Sequence, residues 1–177
     1  LASSAASDVY KRQVAGLATF LASSPWISAL SESEHTQKEK IRLAIIGAGS
    51  RARHLSRFLT QNPRVEIAVL CDIYQPSIDS TLKLVPGAKV CMDYRKVLDD
   101  KSIDAVVIAT PLNSHYPIAM DAFDAGKHVF CEKTIGFTLE ECFNMYQKHR
   151  QTGLIFFTGQ QRLFDPRYLK AMEMIHS

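Results

Sequence analysis

Short apolar runs alternate with amphipathic segments along the chain from Ile41 onward. The apolar runs predict six β-strands, at residues 41–46, 65–71, 89–92, 105–109, 128–131 and 154–158. Apolar residues at helical spacing predict helices after residue 49, around residues 78–84 with an end near Pro86-Gly87, at 94–98, about 114–125 and 139–149, and from about 166. Because parallel strands need crossover connections, this alternation predicts an α/β fold built on a doubly wound parallel sheet.

A glycine turn, Gly47-Ala48-Gly49-Ser50-Arg51-Ala52, joins the first predicted strand to the helix that follows it. A glycine at position 47 permits a tight turn, and a second at position 49 lets backbone N–H groups approach a pyrophosphate. Similar turns occur in flavodoxin-like folds that bind no dinucleotide, so the neighbouring motifs decide between the two. We expect Gly47, Gly49, Ser50, Arg51 and Ala52 to hold the diphosphate of a dinucleotide.

An acidic residue, Asp72, ends the second predicted strand, 25 residues after Gly47. This separation is close to the spacing of about 20 at which a carboxylate meets the adenosine ribose in dinucleotide folds. The carboxylate would also repel the additional phosphate of NADP, and Ile73, Tyr74 and Gln75 supply no cation to neutralise it. The pattern favours NAD, with capping of the next turn as the alternative role for Asp72.

Polar side chains follow the last three predicted strands. The residues are Thr110, Pro111, Asn113 and His115 after the fourth strand, Glu132 and Lys133 after the fifth, and Gln160, Gln161 and Arg162 after the sixth. Ligands of doubly wound sheets bind at the carboxyl ends of the strands. The three groups are therefore predicted to open onto the same crevice as the glycine turn.

Composition and charge exclude several classes of function. The 177 residues are 46% hydrophobic and 22% charged, as expected for one soluble globular domain. The net charge is only +3, and the lysines and arginines are scattered without aromatic interleaving, which argues against a nucleic-acid surface. The four cysteines form no C-x-x-C pair, so neither a metal site nor a disulfide is predicted.

The first forty residues differ in character from the rest of the chain. Val14 to Leu30 is uncharged and largely apolar, which is a signal-peptide pattern too short for a confident membrane span. Residues 15–21 within it resemble the apolar part of a twin-arginine export signal. Leu1 to Gln13 resembles translated adapter sequence, and the polar residues Ser31 to Lys40 are typical of a linker. We therefore expect a signal-like or artefactual segment at 1–40 and a periplasmic protein. The alternatives are an N-terminal helix packed on the domain and a cytoplasmic location.

Five motifs in order resemble the N-terminal domain of the Gfo/Idh/MocA family (glucose-fructose oxidoreductase and inositol dehydrogenase). They are Ile45-Ile46-Gly47-Ala48-Gly49, Cys71-Asp72, the segment 109–115, the segment 126–133 and Gly159-Gln160-Gln161-Arg162. The resemblance implies a Rossmann domain at 41–165, NAD as cofactor, and hydride transfer to or from a sugar or polyol. It also implies a second, α+β substrate domain of which residues 166–177 are the start, and a homo-oligomeric full-length protein.

The resemblance also implies roles for individual residues. Lys133 occupies the lysine position of a Glu-Lys-Pro motif, where the ammonium acts on the substrate hydroxyl, and Thr134 replaces the proline. The alternative for Lys133 is a solvated strand end paired with Glu132. Glu132 is expected to contact the nicotinamide ribose. Thr110, Pro111, Asn113 and His115 are expected to line the middle of the cofactor, and Gln161 to contact it as well. For His115, a ring held locally at the start of its helix is an equal alternative, whereas His128 is expected to be structural.

Three functions remain open at this point. The first is an oxidoreductase acting on CH–OH groups. The second is a glycoside hydrolase that resembles this family and retains NAD, which the export-like segment would suit because an exported enzyme loses access to a cofactor pool. The third is a module that holds NAD without turnover. In each case the 177 residues alone are expected to bind the cofactor weakly and to catalyse nothing.

Overall fold

Six parallel strands and six α-helices make up the part of the chain that the computed structural model describes, residues 40–160 and 165–176. The strands are β1 (Ile41–Ile46), β2 (Val65–Cys71), β3 (Lys89–Cys91), β4 (Ala105–Ile108), β5 (His128–Cys131) and β6 (Phe156–Thr158). The helices are α1 (Ser50–Leu59), α2 (Gln75–Leu82), α3 (Tyr94–Asp99), α4 (His115–Asp124), α5 (Leu139–Thr152) and α6 (Pro166–His176), and a 3-10 turn at Leu112–Ser114 precedes α4.

The strand order in the sheet is β3-β2-β1-β4-β5-β6, and every neighbouring pair is parallel. The order reverses between β1 and β4, where Ile46 pairs with Ile108. On the other side of β1, Ile46 pairs with Cys71 at the end of β2. Residues that follow these three strands therefore meet at one edge of the sheet, which is where doubly wound folds bind their ligands.

Buried side chains alternate between the two faces of the sheet. Ala44 and Ile46 belong to one buried cluster, which also contains side chains from α3, α4 and α5. Leu43 and Ile45 belong to a second cluster, against which residues of α1 and α2 pack. Helices cover both faces of the sheet, so residues on both sides of β1, β2 and β4 are buried. This explains why these strands are almost wholly apolar in sequence. The predicted doubly wound parallel sheet is confirmed.

The compact unit that contains the sheet runs to Gly159, and the domain end at 165 stays a prediction. Residues 160 and 165–176 fall outside that unit, and they include all of α6. The signal-like segment falls, except for Lys40, outside the described residues, as do Gln161 and Arg162. No helix in the described ranges is long and apolar enough to span a membrane.

Candidate functional site

Gly47 brings the end of β1 against the end of β4. Its φ of +91° lies in the region that side chains disfavour, and a Cβ on this residue would lie 2.6 Å from the carbonyl carbon of Ala109 and from the Thr110 nitrogen. The Gly47 N–H donates to the Cys71 carbonyl at 2.8 Å. The first glycine of the turn is thus required both by backbone conformation and by the close approach of β4.

Gly49 has a different environment. It is the N-cap of α1 with a φ of −73°, and apart from its own chain neighbours no described residue has a heavy atom within 4 Å of the position that a Cβ would take. The first N–H groups of an α-helix have no intrahelical acceptor, and in α1 neither a side-chain cap nor an acidic residue in the first turn offers one. An open cradle in front of uncapped helix amides fits a diphosphate.

Asp72 lies beside this cradle at the end of β2. One carboxylate oxygen, Oδ2, accepts from the Ala48 N–H at 2.6 Å, and Oδ1 accepts from the Tyr74 N–H at 2.9 Å. Asp72 therefore caps the turn that follows β2, which is the alternative role expected for it from the sequence. At the same time it binds the backbone of the glycine turn. Each oxygen keeps a second lone pair, so a contact with the adenosine ribose stays a prediction.

Glu132 connects the glycine turn to the ends of β5 and β6. The residue is 6% exposed, and its Oε1 accepts from Arg51 Nε at 2.6 Å. A Cβ on Gly159 would lie 2.7 Å from Oε2, so that glycine leaves the space that the carboxylate occupies. The sequence does not predict the Arg51–Glu132 ion pair, because 81 residues separate the two partners and no local signal pairs them. It does not predict the role of Gly159 either.

Lys133 is exposed directly after the buried Glu132. Its backbone N–H donates to Glu132 Oε2 at 3.3 Å, and the peptide bond to Thr134 is cis. The Lys133 ammonium forms no ion pair with any residue in the described ranges. It is thus a cation at the carboxyl end of β5, on the same sheet edge as the cradle.

His115 holds the ends of β4 and β5 together. The side chain is 2% exposed, Nδ1 lies 2.7 Å from the Thr134 carbonyl oxygen, and Nε2 lies 2.9 Å from the Thr110 carbonyl oxygen. Both ring nitrogens therefore face backbone carbonyl oxygens, and the neutral ring donates to one of them, which corresponds to the locally held alternative. Any direct contact of His115 with the cofactor stays a prediction.

The remaining predicted contacts lie around the same edge. Thr110 Oγ1 is buried and has no hydrogen-bond partner in the part of the chain that the structure describes. Ser50, Pro111 and Asn113 are exposed, whereas Ala52 is fully buried against the sheet, where its small side chain permits close packing. An unpaired hydroxyl beside an open cradle is a further feature that suits a polar ligand.

Nothing among the described residues suggests a metal centre, since they hold no group of three or more His, Cys, Asp or Glu side chains that could bind a metal ion. The four cysteines are free, and burial raises the pKa of the Cys71 and Cys131 thiols to about 12. These two thiols are consequently poor nucleophiles and poor ligands. The chemistry of the site rests on backbone amides, the carboxylates of Asp72 and Glu132, and the Lys133 ammonium.

Residues 41–160 match the model of an oxidoreductase family, GFO/IDH/MocA, described as an NAD-binding Rossmann fold. The chain is 30% identical over 139 residues to scyllo-inositol 2-dehydrogenase (NAD(+)) of Bacillus subtilis, a match that covers 78% of this chain and 41% of the relative. It is 29% identical over 171 residues to a glycosyl hydrolase family 109 protein of Stenotrophomonas maltophilia, which covers 88% of this chain and 38% of the relative.

Among solved structures, a scyllo-inositol dehydrogenase from Lactobacillus casei with bound NAD(H) and scyllo-inositol superposes with a TM-score of 0.70. The two sequences are 28% identical, and the match covers 77% of this chain and 40% of that one. The chain therefore spans about 40% of the length of the proteins that it resembles.

Proposed function

The chain belongs to the GFO/IDH/MocA oxidoreductase family, and from that premise we propose that the protein oxidises or reduces a CH–OH group of a sugar or polyol with NAD. NAD is the cofactor of the Rossmann domain that residues 41–160 form. The single observation that supports the proposal most strongly is the shared sheet edge. It brings the open space at Gly49, which suits a diphosphate, to the same end of the strands as the Lys133 ammonium.

The residues divide into those that hold the cofactor and one that acts on the substrate. The amides of residues 49–52 would hold the diphosphate, Asp72 the adenosine ribose, and Glu132 the nicotinamide ribose. The chemistry that NAD supplies when bound is reversible hydride transfer. Lys133 would hold the reacting oxygen and move its proton, a task that suits the three N–H donors of a lysine ammonium.

A second function in the same family is hydrolysis of a glycoside with NAD retained. The match to the glycosyl hydrolase family 109 protein favours it, because that alignment covers 88% of this chain. The two functions differ in their products. Oxidation of a polyol leaves NADH, whereas the hydrolase releases a leaving group with no net change in NAD.

The test is an assay of the full-length protein against inositols, hexoses and chromogenic aryl glycosides, with NADH absorbance and leaving-group release followed together. We expect NADH to form with at least one polyol or sugar. Lys133→Met should lower kcat by about 10²- to 10⁴-fold, because a positioned proton-transfer group contributes that much, and should leave the Kd for NAD unchanged.

Lys101→Met is the matched control, since Lys101 is also exposed but precedes β4. Release of aryl groups without NADH would favour the hydrolase. A protein that binds NAD but turns over no member of the panel would contradict both functions. Unchanged turnover in Lys133→Met would remove Lys133 from the reaction.

A further inference from the structure

The peptide groups around Ala48 are held from two sides by side chains. The Ala48 N–H donates to Asp72 Oδ2 at 2.6 Å, and the Ala48 carbonyl accepts from the Thr81 hydroxyl, also at 2.6 Å. Thr81 lies in α2, 33 residues further along the chain, and its side chain is fully buried, as is Ala48. The turn is therefore fixed by a residue that belongs to none of the motifs singled out in the sequence.

The hydrogen bond from Thr81 determines which way the next amide points. The Ala48–Gly49 peptide bond is trans, and in a trans peptide group the C=O and the N–H point in opposite directions. Because Thr81 holds the Ala48 carbonyl toward α2, the Gly49 N–H is directed away from α2. That N–H donates to no acceptor among the described residues, and it borders the space left open at Gly49.

We propose that Thr81 is a positioning residue for the cofactor, which orients the Ala48–Gly49 peptide so that the Gly49 amide is available to the NAD diphosphate. Asp72 holds the preceding amide, so the two side chains fix successive peptide groups of the turn. The inference rests on NAD binding at this turn and on no particular substrate or reaction.

Loss of the Thr81 hydroxyl should weaken NAD binding, because fewer molecules would have the turn in the conformation that presents the Gly49 amide. Without Thr81, the buried Ala48 carbonyl has no partner and the peptide adopts other orientations, so only a fraction of the molecules presents the Gly49 amide. The apparent Kd rises by the reciprocal of that fraction. The loss of one neutral hydrogen bond corresponds to about a five- to tenfold rise in Kd.

The experiment measures Kd for NAD, ADP and adenosine in the full-length protein and in Thr81→Val, Thr81→Ser and Thr81→Ala. We expect Thr81→Val to raise Kd for NAD and ADP by about five- to tenfold and to leave adenosine within about twofold, because adenosine carries no diphosphate. Thr81→Ser, which keeps the hydroxyl, should bind close to the parent. Ser80→Ala is the matched control, since Ser80 donates a similar bond to the Pro76 carbonyl on the exposed side of α2.

Two further comparisons separate positioning from a purely structural role. If Thr81→Val does not fold, the Ser and Ala variants at the same position give the same hydroxyl comparison. Amide exchange of residues 47–52 without cofactor should be faster in the variants that lack the hydroxyl. Equal affinity of the Ser and Ala variants for NAD would overturn the proposal, and so would an equal loss of adenosine and ADP affinity in Thr81→Val.

Discussion

Gly47 and Gly49 lie two positions apart in one turn, yet the structure requires them for different reasons. Gly47 combines a positive φ with contact to the backbone of β4, so any side chain there meets other atoms. Gly49 has an ordinary φ and open space in front of it. The first glycine is therefore required by the fold, whereas the second leaves open space at the start of α1, where we propose that the diphosphate binds.

Alanine at each position separates these two contributions. Gly47→Ala should lower the free energy of unfolding by about 2 kcal/mol or more, because it adds positive-φ strain to contacts of 2.6 Å. Gly49→Ala should leave the melting temperature within a few degrees of the parent and raise Kd for NAD by about tenfold or more, since its Cβ enters the cradle. Thermal unfolding and an NAD titration measure the two effects.

Gly87→Ala is the control for this pair, because Gly87 also has open space around it and lies between α2 and β3, away from the cradle. It should change neither stability nor affinity. Tight NAD binding by Gly49→Ala would mean that the diphosphate does not approach this position.

A histidine side chain connects β5 and β6, in addition to the backbone hydrogen bonds between the two strands. The Nδ1 atom of His128, the first residue of β5, accepts from the Ile155 N–H at 3.0 Å just before β6. Burial lowers the pKa of His128, and the Asp104 carboxylate opposes part of that shift. The ring is thus held neutral, since a protonated Nδ1 could not accept this bond.

Acid should destabilise this edge of the sheet. Because the folded-state pKa of His128 lies below the ordinary value of 6.5, the unfolded chain takes up the proton first as the pH falls. The contribution of neutral His128 to the free energy of unfolding is complete above pH 6.5. It declines as the pH falls below 6.5, until the folded-state pKa of His128 is reached. Thermal melts between pH 7.5 and 5 should show this decline.

Burial also lowers the pKa of His54, so that residue adds to the loss of stability at low pH with the same sign. The variant His128→Gln therefore isolates the contribution of His128 to the dependence of stability on pH. The variant should show a flatter dependence on pH than the parent. Identical slopes in the two proteins would mean that His128 does not titrate with folding.

Strand positions could be predicted well because buried parallel strands are uninterrupted apolar runs. The bounds of β1, β2 and β5 agree with those predicted from the apolar pattern. The second helix ends at Leu82 and not near Pro86, since Leu84 and Val85 donate to carbonyls three residues back and the chain tightens into turns. The sixth strand begins at Phe156 and not at Leu154, whose carbonyl is bound by the His149 ring.

The site could be predicted only where a residue carries a local signal. Gly47, Gly49 and Asp72 are recognisable from their places after β1 and β2, and the structure brings them together at one sheet edge. Thr81 and the Arg51–Glu132 pair have no such signal, because their partners are distant in sequence and are specified by tertiary packing. The family and the cofactor predicted from the ordered motifs are confirmed.

The substrate of the whole protein stays a proposal. The chain spans about 40% of the length of its relatives, and it supplies the NAD-binding domain with an exposed lysine at the carboxyl end of β5. Substrate selection depends on side chains that surround the reacting carbon. An assay of the full-length protein is consequently the appropriate test of activity.

The central claim, that the turn at residues 47–52 and Asp72 hold NAD at the reversal of strand order, is tested most directly by a crystal structure of the full-length protein with NAD bound. We expect the diphosphate against the amides of residues 49–52, the adenosine ribose on the Asp72 carboxylate, and the Lys133 ammonium facing the nicotinamide. A complex in which NAD binds elsewhere, or in which Asp72 contacts only Ala48 and Tyr74, would contradict the account.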